Sequence, residues 1–271
     1  MSERPQGEQW WLASDGRWYP PEARSGEPLP PPPSGIVGVQ PRLVSKGLTY
    51  STFGALVGTS LIYLAYTVAT IGYLINYTEG GAANAGITAQ SGDVTPAEDI
   101  YFIALGLAGL ATMATAALFI TWCHLAYRAA ASRGATATSW SAGWAIGAWF
   151  IPLANLVLPK LVLREVEQMS HPAAGDPPIG DRWKRSPGDI LGRIWWIFFV
   201  CAYVTSSISL VAQGFALDDS VFEWWVMVEI GAGALYVIAA ALGALYVQRI
   251  GGRLNRPVTI STTPPTEHPA S

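Results

Sequence analysis

The sequence predicts an all-α integral membrane protein with four transmembrane helices in two hairpins plus a re-entrant or interfacial helical segment. Charged residues make up only 13% of the chain, whereas a soluble domain has about 25%. Two long apolar hairpins, at about residues 48–126 and 189–248, have outer loops without Lys or Arg. All sixteen basic residues therefore fit on one face of a membrane, and that pattern marks the cytoplasmic face.

The N-terminal region predicts two segments ahead of a membrane domain at 42–256. Residues 1–22 contain Asp15-Gly16, which favours a tight turn because glycine accepts positive φ. We expect a small aromatic β-hairpin whose candidate partner-binding residues are Trp10, Trp11, Trp18 and Tyr19. Residues 23–41 are proline-rich and predict an extended linker, which acts either as a spacer or as a ligand of the hairpin.

The first apolar hairpin predicts spans at about residues 50–75 and 99–126, with a loop at 76–98. Gly54 and Gly58 have the four-residue spacing that is typical of closely packed membrane helices. The second span is rich in Ala and Gly, and we expect it to be a buried helix of the bundle.

Residues 140–163 are long enough to span, but the charge pattern argues against a fifth span. A fifth span would divide the basic residues almost evenly between the two faces, which carries no orientation signal. We therefore expect the segment at about 140–166 to enter from the cytoplasmic face and return to it. Pro152 breaks its first helix, and Asn155 satisfies the backbone at the turn. Re-entrant and wholly interfacial arrangements both stay open.

The sequence after Pro159 predicts an amphipathic helix at the membrane interface. Its apolar side consists of Leu158, Leu161, Val162, Val166 and Met169. Its polar side, expected to face water, consists of Lys160, Arg164, Glu167 and Gln168.

The second apolar hairpin predicts spans at about residues 189–213 and 222–248. Arg193 lies one turn inside the third span, and we expect Asp189, four residues earlier, to be its partner. The tail at 257–271 is polar and rich in Thr and Pro, which predicts disorder.

A pattern of Trp, Pro and small residues runs through the middle of the chain: Tyr127-Arg128, Arg133-Gly134, WFIPLANL at 149–156, Pro159, Pro187 and Trp195-Trp196. This pattern resembles the membrane family catalogued as domain of unknown function 4328, over roughly residues 48–250. The resemblance implies a multi-helical protein of an actinobacterial inner membrane and carries over no catalytic residue. Residues 8–22 likewise resemble the short Trp-rich modules at the N-termini of many actinobacterial membrane proteins.

Glu229 is the one carboxylate that lies deep in a predicted span, about 10 Å from the outer end of that helix. Acidic residues inside a membrane are candidates for a functional role. The hydroxyl residues expected at the same depth on the other helices are Thr67, Thr70, Ser206 and Ser207. Glu229 then acts as a hydrogen-bonding link between helices, as part of a proton or cation path, or as an interfacial residue.

The sequence contains no motif for catalysis or for a cofactor, and we expect the chain not to be an enzyme. His124 follows Cys123, but adjacent helical residues point about 100° apart and do not converge on a metal. A net charge of −3 gives no bias toward nucleic acid.

Two functional hypotheses fit a multi-pass protein of a bacterial inner membrane with cytoplasmic N- and C-termini. The first is a membrane scaffold or sensor that binds a cytoplasmic protein partner or an anionic lipid. The second is a small transporter or channel that uses Glu229 and the helix break at Pro152 and Asn155. The oligomeric state stays open in both.

Overall fold

A computed structural model describes residues 11–12, 18–19, 44–91, 95–174, 180–213 and 219–256. The chain divides into two units, Met1–Gln40 and Pro41–Ser271. In the first unit, β1 (Trp11–Leu12) pairs antiparallel with β2 (Trp18–Tyr19), and Trp11 lies opposite Tyr19. The predictions for Trp10, the linker at 23–41 and the tail at 257–271 fall outside the described residues.

The second unit is built on four long helices, which confirms the predicted fold class. They are α1 (Lys46–Ser91), α2 (Pro96–Ala131), α5 (Ile190–Gln213) and α6 (Asp219–Leu254). Each contains a stretch that is long and apolar enough to cross a membrane. Between α2 and α5 the described residues form α3 (Trp144–Gly147), α4 (Leu158–Met169) and three short 3-10 turns.

The predicted loop at 76–98 is mostly helix, because α1 continues to Ser91. The sequence from 76 to 91 contains three glycines, which weaken a helix, but it also contains four alanines and no proline, so every residue can still donate its backbone hydrogen bond. The start of α2, in contrast, is fixed by capping residues next to it in the sequence. The Thr95 hydroxyl accepts from the Glu98 backbone N–H at 3.3 Å, the Glu98 carboxylate accepts from the Thr95 N–H at 2.8 Å, and Pro96 follows the cap.

The helices pack in the order α2, α1, α6, α5, with α6 between α1 and α5. We call the end at which α1 and α5 begin and α2 and α6 end the basic end, and the opposite end the loop end. In its most apolar stretch α6 has 39% of its residues buried, against 17% in α2. The expectation that α2 is a buried helix was therefore wrong, because small residues draw helices together only where they face a partner.

The close approaches between helices occur at glycines other than those predicted. A Cβ at Gly54 or Gly58 would meet no atom within 4 Å, so this pair does not mark a contact within the described part of the chain. A Cβ at Gly233, in α6, would lie 2.3 Å from the Thr67 hydroxyl oxygen of α1. Gly233 therefore lets α6 approach α1, and the sequence pattern around it gave no sign of this.

Replacing Gly233 with Ala is expected to lower the free energy of unfolding by about 1–3 kcal/mol, because the new methyl group overpacks the α1–α6 contact. Gly231, two residues earlier, is a matched control, since a Cβ there meets nothing within 4 Å. Gly231→Ala should be neutral or stabilising by up to about 1 kcal/mol. Reversible unfolding of both variants in mixed detergent micelles measures the difference, and equal stabilities would contradict the contact.

Candidate ligand groove and carboxylate pocket

A groove lies between α2 and α5, and α1 and α6 form its floor. The groove contains a cavity of about 380 Å³. Its walls carry Ala116 and Phe119 from α2 and Phe199 and Tyr203 from α5. Tyr203 is 40% exposed, so the groove is reachable from the outer surface of the helical unit. We call this feature the α2–α5 groove.

The segment between α3 and α4 closes the groove toward the basic end. Trp149 packs edge-on against Phe119, with ring centroids 5.8 Å apart, and against Phe199 at 6.0 Å. These partners lie about 18 Å from the end of α2 and about 14 Å from the beginning of α5. The segment therefore enters the bundle, which favours the re-entrant arrangement over one that lies wholly at the interface.

The segment turns at residues 152–156, but α3 already ends at Gly147, so the prediction that Pro152 breaks the first helix was wrong. Pro152 and Asn155 flank Leu153, which has a positive φ of 62° and is 83% exposed. Asn155 lines the groove cavity, and the Trp196 indole N–H donates to the Leu156 carbonyl at 3.1 Å. The turn thus presents Asn155 to the groove and leaves Leu153 on the surface.

Glu229 lies in α6, in the half of the bundle nearer the loop end. The Tyr66 hydroxyl donates to one of its carboxylate oxygens and the Ser209 hydroxyl to the other. Glu229 lines two cavities, of about 360 Å³ and 100 Å³. The larger one, which we call the Glu229 pocket, is lined by Tyr101, Leu105, Tyr203, Ser206, Ser207, Ser209, Leu210, Trp225, Glu229 and Tyr236.

The predicted hydroxyl layer around Glu229 is only partly correct. Ser206 lines both cavities next to Glu229. Ser207 also lines the larger cavity, although its hydroxyl donates to the Tyr203 carbonyl at 2.8 Å. Thr67 and Thr70 instead donate to carbonyls of their own helix, at 2.8 and 2.9 Å. The position of a residue along its helix does not tell which way its side chain points, because each step along a helix turns the side chain by about 100°. The two hydroxyl donors, Tyr66 and Ser209, were therefore not predicted from the sequence.

The cavities form a series along the bundle because they share lining residues. Tyr236 lines all three, and Tyr203 lines both the groove cavity and the Glu229 pocket. Asn155 at one end and Glu229 at the other are thereby placed along one row of cavities, although the two side chains are not in contact.

A buried ionic network fixes α4 to α5 and α6 at the basic end. The Lys160 ammonium lies 2.5 Å from the Glu167 carboxylate, which also accepts from the Asp189 backbone N–H at 3.0 Å. Asp189 pairs with Arg249 at 2.9 Å and with Arg253 at 2.8 Å. The predicted Asp189–Arg193 pair was therefore wrong, because the two arginines of α6 take the carboxylate.

The polar side of α4 is buried, contrary to the expectation that it faces water. Glu167 and Gln168 are 1% and 9% exposed, and only Arg164 points outward as predicted. The Gln168 amide donates to the Ser186 carbonyl at 2.9 Å. Glu165, which the sequence analysis did not single out, accepts from the Tyr127 hydroxyl at 2.8 Å. The amphipathic pattern correctly separated an apolar and a polar side of α4. It did not show that other parts of the protein pack against both sides.

The described residues contain no group of three or more His, Cys, Asp or Glu arranged to hold a metal ion. The His124 Nδ1 lies 2.8 Å from the Ala142 carbonyl oxygen, to which it donates in the matching tautomer. His124 therefore attaches α2 to the segment that leads into α3.

Comparison with protein families gives one match, to the family described as Domain of unknown function (DUF4328), over residues 87–252. The match includes all of α2 to α5 and most of α6, and it starts near the end of α1, later than the resemblance suggested. No curated protein and no solved structure matches the chain.

Proposed function

Because the chain belongs to the DUF4328 family, whose description assigns no activity, we propose a function from the geometry: a membrane sensor or scaffold that binds a lipid chain in the α2–α5 groove. The observation that carries this proposal is the groove cavity of about 380 Å³. Its size falls within the range of roughly 300–1,000 Å³ that is usual for small-molecule sites. The proposal assigns no catalytic residue and needs no cofactor.

The surroundings of the groove support a lipid as its occupant. The walls and the floor of the groove belong to four helices that are long and apolar enough to span a membrane, so the neighbouring solvent is hydrocarbon. The lining is mainly aromatic and aliphatic, with Phe119, Trp149, Trp195 and Phe199 near the closed end. An acyl chain entering sideways between α2 and α5 fills this space without desolvating a charge.

The position of α4 supports a sensing role. Trp149 and Asn155 contact the groove, and the chain then continues directly into α4. Glu167 couples α4 to the beginning of α5 through the Asp189 N–H. A lipid that shifts Trp149 therefore acts on α4 and on the polar contacts at the basic end, where exposed residues such as Arg164 are open to a partner protein.

The basic end is the one we assign to the cytoplasm, together with both chain termini, because basic residues favour that face. The family resemblance supports the inner membrane of an actinobacterium as the location.

Native mass spectrometry tests the lipid proposal directly. We expect the full-length chain, purified in an uncharged detergent and washed extensively, to retain one lipid per chain. Lipids that merely surround the helices should exchange away under the same washing. A protein that stays folded but keeps no lipid, and rebinds none after addition, would contradict the proposal.

A transporter or channel is the second candidate, and the row of cavities from Asn155 to Glu229 favours it. If the chain moves a solute along this row, Asn155→Ala combined with Glu229→Ala abolishes flux into vesicles. Deletion of residues 1–41 leaves that flux unchanged. A scaffold shows the reverse pattern, with a partner-dependent phenotype that is lost on the deletion and kept in the double variant.

A further inference from the structure

We propose that the Glu229 pocket binds a hydrophobic organic ammonium cation. This site goes beyond the lipid site of the α2–α5 groove and does not depend on it, since the charge that recognises the ligand belongs to Glu229 alone. The inference rests on three features of the pocket: a carboxylate without an ion-pair partner among the described residues, four aromatic residues in its lining, and a cavity of about 360 Å³.

The carboxylate of Glu229 has acceptor capacity to spare. The ion pairs found in the described part of the chain join Lys160 to Glu167 and join Asp189 to Arg249 and Arg253, all at the basic end. Glu229 takes part in none of them. A carboxylate offers about four lone-pair sites, and the hydroxyl donors Tyr66 and Ser209 use two. Neither hydroxyl carries a positive charge, so the negative charge of the carboxylate is left to attract a cation, including one without an N–H donor.

The walls of the pocket match an organic cation. Four aromatic rings line it, from Tyr101, Tyr203, Trp225 and Tyr236. Aromatic rings attract cations electrostatically, and a set of such rings is a common way to hold alkylated ammonium groups. Leu105 and Leu210 supply apolar surface for the hydrocarbon part of the ligand.

Two simpler roles for Glu229 fit the pocket less well. A carboxyl group that only links helices needs Tyr66 and Ser209 but leaves a cavity of about 360 Å³ unexplained. A hard metal ion takes six or more oxygen ligands, whereas indole and phenol rings occupy much of this wall. An ammonium ion carried on an apolar body uses the charge, the rings and the volume together.

Equilibrium binding of radiolabelled phenyltrimethylammonium tests the proposal on the full-length chain in an uncharged detergent. We expect saturable binding at one site per chain. The neutral compound tert-butylbenzene has nearly the same shape and serves as the matched competitor. It should fail to displace the probe at equal concentration, because it lacks the positive charge.

Variants then assign the site. Glu229→Gln keeps the size of the side chain and removes its charge, and it should weaken binding about tenfold or more. Glu223→Gln is the control, since Glu223 is exposed on the same helix and its loss changes only the general charge of the loop end. Tyr203→Leu should weaken binding roughly threefold or more, while Tyr203→Phe retains the ring and the affinity. The Tyr203 pair keeps the test decisive if Glu229→Gln does not fold.

Three results would each overturn the proposal: no saturable binding by folded wild-type protein, equal displacement by tert-butylbenzene, or unchanged affinity in folded Glu229→Gln. Reconstitution separates two sources of the ammonium group. Displacement of the probe in phosphatidylcholine vesicles, but not in phosphatidylglycerol vesicles, assigns the group to a lipid headgroup. Equal binding in both assigns it to a free cation, and either result supports the ammonium chemistry.

Discussion

Glu167→Gln is expected to lower the free energy of unfolding by roughly 3–5 kcal/mol, because it leaves a buried cation without its partner. The side chain of Glu167 is 1% exposed and that of Lys160 is 15% exposed, so water screens the pair only weakly. Reversible unfolding in mixed detergent micelles measures the loss. The new amide oxygen still accepts from the Asp189 N–H, so the loss reports the charge pair rather than this hydrogen bond.

A second change separates the charge effect from general damage to α4. Adding Lys160→Met to Glu167→Gln removes the unpaired cation, and the double variant should regain most of the lost stability. Arg164→Gln is the matched control on the same helix, since Arg164 is exposed and should contribute less than about 0.5 kcal/mol. A double variant less stable than Glu167→Gln alone would contradict this account of the pair.

Ala116→Trp is expected to reduce lipid retention at least about tenfold, because the indole fills the α2–α5 groove. Ala116 is an exposed residue of α2 and lines the groove cavity, so a larger side chain at this position extends into that space. Native mass spectrometry of the washed protein gives the fraction of chains that keep one lipid.

The neighbouring residue provides the control for this substitution. Ala117 is also exposed but does not line the groove cavity, since one helical position turns the side chain by about 100°. Ala117→Trp adds the same ring to the same helix and should leave lipid retention unchanged. Equal loss in both variants would indicate a general effect on α2, and retention in both would remove the groove as the lipid site.

The four spans could be predicted because they depend on length and hydropathy, which are local properties of the sequence. The distribution of charge over the whole chain predicted that the segment around Pro152 returns to the end of the bundle at which it starts, and it left open whether the segment re-enters or lies at the interface. The true end of α1 at Ser91 was missed because an acidic, glycine-containing stretch was taken for a loop. No residue in it breaks a helix as proline does.

The polar contacts were harder to predict because they depend on which way each helix faces. Asp189 pairs with Arg249 and Arg253, about sixty residues later in the chain. The spacing of four residues between Asp189 and Arg193 had predicted a pair between those two instead. Glu229 was singled out from depth alone, and the sequence could not distinguish Tyr66 from its neighbour Thr67 as its hydrogen-bond donor. Tertiary packing decided both cases.

Cysteine labelling with a membrane-impermeant thiol reagent tests the architecture on which the groove and the Glu229 pocket both depend. In a chain with Cys123 and Cys201 replaced by Ala, single cysteines at Ser139 and Ala173 flank the segment at 140–166, and both positions are exposed. Single cysteines at Ala83 and Ser220 mark the loop end. We expect label from outside intact cells at Ala83 and Ser220 and none at Ser139 or Ala173. Label at Ala173 without label at Ser139 would mean that the segment crosses the membrane, and the α2–α5 groove as described would not exist.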